Sequence, residues 1–320
     1  MSASLADRTV EERDCARTAE PAWGSGPVSA SCGRLLNAMT VDVEDYFQVE
    51  AFANIISRDT WDAQPSRVEA NTDRLLQLFA DADVKATFFV LGWIAMRHRG
   101  LVKRIVDGGH ELASHGFQHL RADRQTAEQF RADVRHTRQL LEDLGGVRVN
   151  GYRAATFSIS RANWWVFNIL AEEGYAYSSS VYPIVHDLYG VPDAPRLPFH
   201  PTASAFTEVP LTTLRVFGKN LPCSGGGYFR LLPYAISQRA FARIVDREKR
   251  PCVFYCHPWE VDPAQPRQTQ APLKSRLRHY LNLGKMEYRL GRLLRDFAWG
   301  RMDAAFPEVS AAVDVARRSH

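Results

Sequence analysis

Met39-Thr-Val-Asp-Val-Glu-Asp-Tyr-Phe-Gln48 begins as a strand and ends in acid. Ala38, Met39, Val41 and Val43 are apolar or β-prone, and Asp42, Glu44 and Asp45 crowd in among and after them. Carboxylates are poor strand formers and repel one another at close range. A strand that finishes this way calls for something positive at its tip, and the rest of the chain can be searched for it.

Further apolar runs follow at 85–91, 110–114, 149–153, 176–181, 206–210 and 252–257, and each reads as a short strand. Amphipathic segments lie between them. Val68–Phe79 sets Leu75, Leu76 and Phe79 on one face, and Ile94–Val106 runs into Gly108-Gly109. Thr126–Leu144 ends at Gly145-Gly146, Ala162–Glu173 ends at Gly174, and Pro233–Lys249 is a further helix candidate. Repeated strand–helix alternation implies parallel strands joined by crossover helices. At this number of repeats the fold class is α/β, a closed or nearly closed barrel whose chemistry collects at the C-terminal strand ends. Two regions break the alternation. Residues 182–233 are rich in Pro and Gly, and residues 270–300 are basic and aromatic, reading as two helices wrapped on the outside.

The 320 residues are 45% hydrophobic and 24% charged, an ordinary globular balance. A net charge of +4, from 40 basic and 36 acidic residues, does not single out nucleic acid or an anionic surface as partner. Five cysteines at irregular spacing form no disulfide framework and fit a reducing compartment. Cys252 and Cys256 share one face of a strand and read as buried structural thiols. No run approaches the ~18 apolar residues of a membrane span, and the first residues hold no apolar signal core. The expected compartment is therefore the cytoplasm. The expected organisation is a disordered leader over 1–36, a barrel over 37–262 and a basic helical extension over 263–320 packed on the barrel.

Polar clusters recur at or just after the strand candidates. In Ser114-His-Gly-Phe-Gln-His119, the i, i+4 spacing of His115 and His119 puts two imidazoles on one face of a helical turn. Two imidazoles and a carboxylate hold a divalent ion with an open position. The acid-ended strand supplies the carboxylate, and a dication would relieve its repulsion. Arg153, in Gly151-Tyr-Arg-Ala154, can orient a carboxylate. His257, in Phe254-Tyr-Cys-His-Pro-Trp-Glu260, is a candidate general acid after an apolar strand. His110 reads as a packing residue. Gly225-Gly-Gly-Tyr-Phe-Arg230 lacks a P-loop pattern and reads as a loop closing on a substrate. Nearby aromatics such as Trp93, Tyr182, Tyr228 and Trp259 would suit stacking on sugar rings.

Taken in order, these clusters resemble the polysaccharide deacetylase family with the NodB homology domain, carbohydrate esterase family 4. The matching stretches are Thr40–Asp45, Ser114–His119, Gly151–Ala154, Tyr177-Ser-Ser-Ser-Val-Tyr-Pro183 and Phe254–His257. Asp42–Gln48, Gly225–Arg230, His257–Glu260 and His279-Tyr-Leu-Asn-Leu283 are similar to the subfamily associated with exosortase and exopolysaccharide gene clusters. The resemblance implies a distorted (β/α) barrel of about seven parallel strands with a C-terminal helical extension. It implies Asp42 as general base, Arg153 as the residue that holds it, His257 as general acid, and His115 and His119 as metal ligands. Val43 and Glu44 separate what are usually adjacent aspartates, so the third ligand is Glu44 or Asp45. Ala155 stands in place of a proline, and Ser178 in place of an aspartate.

The expected activity is hydrolysis of a C–N bond other than a peptide bond, namely removal of N-acetyl groups from amino sugars of a polysaccharide or its precursor. Zinc is the expected metal and an N-acetylated glycan the expected partner. Tyr152, Gly226, Gly227, Tyr228 and Trp259 are the expected substrate contacts, with a backbone N–H near Tyr152–Ala154 holding the oxyanion. Two other readings exist: an amidohydrolase of small cyclic or ureido compounds on the same fold, and a non-catalytic glycan-binding module.

Overall fold

The acid-ended stretch is the strand β1, Leu36–Val43, an inner strand of the sheet with partners on both sides. The structure, a computed structural model, describes residues 34–318. The expected leader thus falls outside the described residues up to residue 33, and Leu36 already belongs to β1. The other strands are β2 (Thr87–Val90), β3 (Glu111–Ser114), β4 (Gly151–Tyr152), β5 (Tyr177–Ser178), β6 (Thr207–Glu208), β7 (Thr213–Val216), β8 (Lys219–Pro222), β9 (Val253–Cys256) and β10 (Ala298–Gly300). Seven of them, in the order β9-β1-β2-β3-β4-β5-β6, pair in parallel and curl into a half-barrel. All seven coincide with strand candidates from the sequence. β10 also pairs with β1 in parallel, and β7 and β8 form a separate antiparallel hairpin.

Alternation along β1 divides the core. Met39, Val41 and Val43 pack with Phe88, Val90 and the crossover helices, while Ala38 packs inside the curl with Phe89, Ala113, Tyr177 and Tyr255. Asp42 shares the parity of Ala38 and is buried among these interior residues.

Register sets the strand ends level. Val43 pairs with Val90, Val90 with Ser114, and Ser114 with Tyr152. Glu44, His115 and Arg153 are each the next residue after those, so they leave the sheet at one height. On the other side of β1, Val41 pairs with Cys256, which brings His257 level with Asp42.

Several expectations are corrected. The helix expected over Ile94–Val106 is two, Gly92–Arg97 and Arg99–Asp107, divided at His98, whose backbone leaves the helical region (φ −120°, ψ 57°). The Gly225–Arg230 stretch is not an open loop but carries the short helix Gly226–Leu231. The region 270–300 does contain two helices, Leu273–Tyr280 and Leu283–Asp296, but it also delivers β10 into the sheet. That strand is three residues long, too short for its periodicity to stand out. Among the described residues no helix is long and apolar enough to cross a membrane.

Candidate active site

Glu44, His115 and His119 each offer a ligand atom, and these atoms lie within 4.8 Å of one another. The histidine rings sit 5.3 Å apart, and His119 Nε2 is 3.0 Å from Glu44 Oε2. His115 Nδ1 donates to the Arg153 carbonyl at 2.9 Å, which aims its Nε2 into the cluster. The loop that carries both rings is tied down by Asp133, which accepts from the Phe117 N–H at 2.7 Å. Gly116 (φ 73°) and His119 (φ 52°) both adopt left-handed backbone there, a cost the second bears as a non-glycine residue.

Electrostatics separate the cluster from an ordinary ion pair. Burial pushes both histidines below their usual range, that of His119 strongly, so both rings are neutral. Burial also raises Glu44 to about 7, against the opposing pull of His257. Glu44 Oε2 is buried and makes no hydrogen bond. A buried carboxylate oxygen without a donor, facing two neutral imidazoles, is a donor set that lacks only a cation. The residues fit a divalent ion.

Asp45, the other candidate ligand, is not brought to this cluster. Although β1 ends at Val43, as an inward swing of Asp45 would require, its carboxylate turns away. One oxygen accepts from the Tyr46 N–H (2.9 Å), and the other from Ser66 Oγ (2.8 Å) and the N–H groups of Arg67 (2.7 Å) and Val68 (3.0 Å). It secures the start of the helix Val68–Asp81, whose first N–H groups have no partner within the helix.

Asp42 lies beside the cluster. Arg153 Nη1 reaches Asp42 Oδ1 at 2.7 Å, and both groups are buried. Arg153 is itself pinned by Thr40 Oγ1 and by the hydroxyl and carbonyl of Ser179, with its guanidinium 4.0 Å above the Phe89 ring. Glu208 holds the next residues in place by accepting from the N–H groups of Ser180 (2.8 Å) and Val181 (2.7 Å).

His257 faces both acids: its Nε2 is 4.0 Å from Asp42 Oδ2 and 3.5 Å from Glu44 Oε1. Its Nδ1 is bonded to Glu260 Oε1 at 2.8 Å. Burial alone would lower this ring, but the Glu260 hydrogen bond with the Glu44 and Asp42 carboxylates raises it to about 9. Sequence reasoning gave Glu260 no place in the site, where it bonds His257. The signal was present in His-Pro-Trp-Glu, since an i, i+3 pair on one turn can meet.

The expected substrate contacts are mostly reassigned. Tyr152 is buried on the outer face of β4, against Phe130 and Tyr175, because it alternates with the inward Arg153. The Arg153 and Ala154 N–H groups donate to Ser114 O and Ser180 Oγ, so neither is available to an oxyanion. A Cβ on Gly226 would lie 2.2–2.5 Å from the Glu260 carboxyl group, so this glycine serves the site's own support. Gly227 is exposed, and Tyr228 is half-buried near the loop that carries Asp187. Trp259 is buried; it donates from Nε1 to Glu44 Oε1 at 3.3 Å and stacks between His257 and His279, which makes it a support for Glu44.

The strand ends of this parallel half-barrel thus gather a carboxylate and two histidines that fit a divalent ion, beside Asp42 and His257. The family model for polysaccharide deacetylase matches residues 59–177, and that for a domain of unknown function, DUF3473, matches residues 179–307. Over the first of these stretches the chain is similar to polysaccharide deacetylases, and over the second to DUF3473. A Helicobacter pylori peptidoglycan deacetylase is 31% identical over 118 residues, 35% of this chain and 38% of that protein. A Listeria monocytogenes peptidoglycan-N-acetylglucosamine deacetylase is 33% identical over 87 residues, 27% of this chain and 18% of that protein. The chain therefore spans well under half the length of these curated relatives. A Mycobacterium smegmatis crystal structure assigned to the polysaccharide deacetylases shares the fold, with a TM-score of 0.57 at 18% identity, over 92% of this chain and 95% of that one. The seam between the two family models falls at β5, inside one continuous sheet, because β9 and β10 return to pair with β1.

Proposed function

We propose that this chain is a metal-dependent hydrolase that removes N-acetyl groups from amino sugars of a polysaccharide or its precursor. The observation that carries the reading is that His257 Nε2 lies 4.0 Å from Asp42 and 3.5 Å from Glu44, the carboxylate of the Glu44–His115–His119 cluster. Glu44, His115 and His119 would hold the ion, which when bound supplies Lewis acidity to the acetyl carbonyl and the attacking water. Zinc suits two imidazoles and a carboxylate.

The chain's own groups divide the proton transfers. Arg153 engages Asp42 Oδ1 and leaves Oδ2 on the side of His257. Asp42 takes a proton from water as its oxygen bonds to the acetyl carbon. His257 Nε2 gives a proton to the amine nitrogen as the C–N bond breaks, so water and amide become acetate and free amine. Glu260, on Nδ1, fixes which ring nitrogen faces the substrate.

The substrate class is supported by the relatives, whose names specify peptidoglycan and N-acetylglucosamine. Exopolysaccharide biosynthesis is supported by the Asp42–Gln48, Gly225–Arg230 and His257–Glu260 motifs. A cytoplasmic location is supported by the free thiols Cys223, Cys252 and Cys256. The test is acetate release from N-acetylated chitooligosaccharides by zinc-loaded protein. No acetate, with zinc bound and the fold intact, would overturn the reading.

A further inference from the structure

Glu260 uses both carboxylate oxygens. Oε1 accepts from His257 Nδ1 at 2.8 Å and from the His257 N–H at 3.1 Å, and Oε2 accepts from Arg230 Nε at 2.6 Å. Glu260 is 0% exposed and Arg230 2%. A carboxylate taken this far from water needs a cation with fixed donors, and Arg230 provides it. The remaining guanidinium donors leave the barrel. Nη1 donates to the carbonyls of His279 (2.9 Å) and Leu281 (2.7 Å), and Nη2 donates to that of Arg278 (3.2 Å). Asn282 returns a bond from Nδ2 to the Arg230 carbonyl at 2.9 Å. These carbonyls close the helix Leu273–Tyr280, where backbone acceptors have no partner within the helix.

The polar side chains on β5 and β6 point to other partners: Ser178 Oγ bonds Ser180 Oγ, and Glu208 Oε1 accepts from backbone N–H groups. The Gly-Gly-Gly run is accounted for as well, since any side chain at Gly226 would displace the Glu260 carboxylate.

We propose that Glu260, braced by Arg230, is the residue that orients His257, and that Arg230 builds the C-terminal segment 278–282 into the active site. Both are positioning residues, because neither touches the reacting atoms. The proposal rests on the deacetylase reading with His257 as general acid.

The experiment uses the full chain and compares wild type with Glu260→Gln, Arg230→Met and Arg230→Lys. Acetate release from N-acetylated chitooligosaccharide is measured beside hydrolysis of 4-nitrophenyl acetate, whose leaving group needs no proton. Zinc content and the downfield His257 Nδ1 proton resonance of the metal-free protein are recorded in parallel. In Glu260→Gln, amide kcat should fall about 10–100-fold with KM and zinc content unchanged, the size of effect seen for partners that orient a functional histidine. Ester turnover should stay near wild type, and the downfield resonance should be lost. Arg230→Met should follow the same pattern, with Arg230→Lys between it and wild type. Unchanged amide turnover in folded Glu260→Gln would overturn the proposal, as would equal loss of amide and ester turnover together with zinc. If Arg230→Met does not fold, Arg230→Lys and Glu260→Gln decide. If wild type releases no acetate, the deacetylase reading fails, and the resonance still decides whether Glu260 orients His257.

Discussion

The two sides of the site are built by different means. On one side, Asp42 sits one residue inside the end of β1 while Glu44, His115 and Arg153 leave adjacent strands at one level, and their supports lie mostly within a residue or two of the next strand end. On the other, His257 depends on Glu260, Glu260 on Arg230, and Arg230 on backbone carbonyls 48–51 residues further along the chain. The first side is set by register, which a parallel sheet specifies strongly because both its faces are buried. The second is set by buried hydrogen bonds between segments far apart in sequence, which hold only when every member is satisfied.

The largest effect should come from the register-built side. Asp42→Asn should lower acetate release by about 10²–10⁴-fold, with metal content near wild type by elemental analysis. Substantial activity in that variant would remove Asp42 from its role.

A sharper contrast sits one residue apart. Glu44→Gln should weaken metal binding by more than ~100-fold, beyond what outer partners contribute. Asp45→Asn should leave binding intact and instead cost about 1–3 kcal/mol in chemical denaturation, because its acceptors anchor a helix start. The reverse result would restore Asp45 as the ligand.

Beneath the site, His110 accepts the Ala86 N–H at Nδ1 and must stay uncharged to do so. Burial, with Lys85 and Arg301 nearby, lowers it from 6.5 to about 4. The unfolded chain therefore binds more protons between these values, and stability falls as pH drops from 6.5 through 4. Urea titrations should show a loss on the order of 3 kcal/mol across that window, absent in His110→Gln.

The smallest effects should divide two neighbouring glycines on the other side of the site. Gly226→Ala should destabilise by about 1–3 kcal/mol through overlap with Glu260. Gly227→Ala, which meets nothing within 4 Å, should stabilise by about 0.4–1 kcal/mol through a less flexible unfolded chain. Thermal melts of the pair test whether the glycine run serves the fold or the substrate.

Much of this molecule was legible in the sequence because strand and helix signals are local. Short apolar runs between amphipathic segments marked all seven parallel strands, and Gly145-Gly146 with Thr126 bounded the helix Ala127–Gly145. β10 and the helix Gly226–Leu231 were not legible. The former is too short to show a period, and the latter starts with two glycines and is held by the burial of Phe229 and Arg230 rather than by propensity.

By itself, the sequence determined that parallel strands would carry Asp42, His115, Arg153 and His257 at or just past their ends, because strand length and polarity are written into consecutive residues. Only the tertiary structure decided that Glu44 faces the histidines while Asp45 secures a helix, because a carboxylate goes where donors are found, and those donors lie at Ser66–Val68. Only the tertiary structure, likewise, brought Arg230 to Glu260 and the carbonyls of Arg278, His279 and Leu281 to Arg230, because His257 supplies donors to one oxygen of that buried carboxylate and the other needs a donor from elsewhere in the chain.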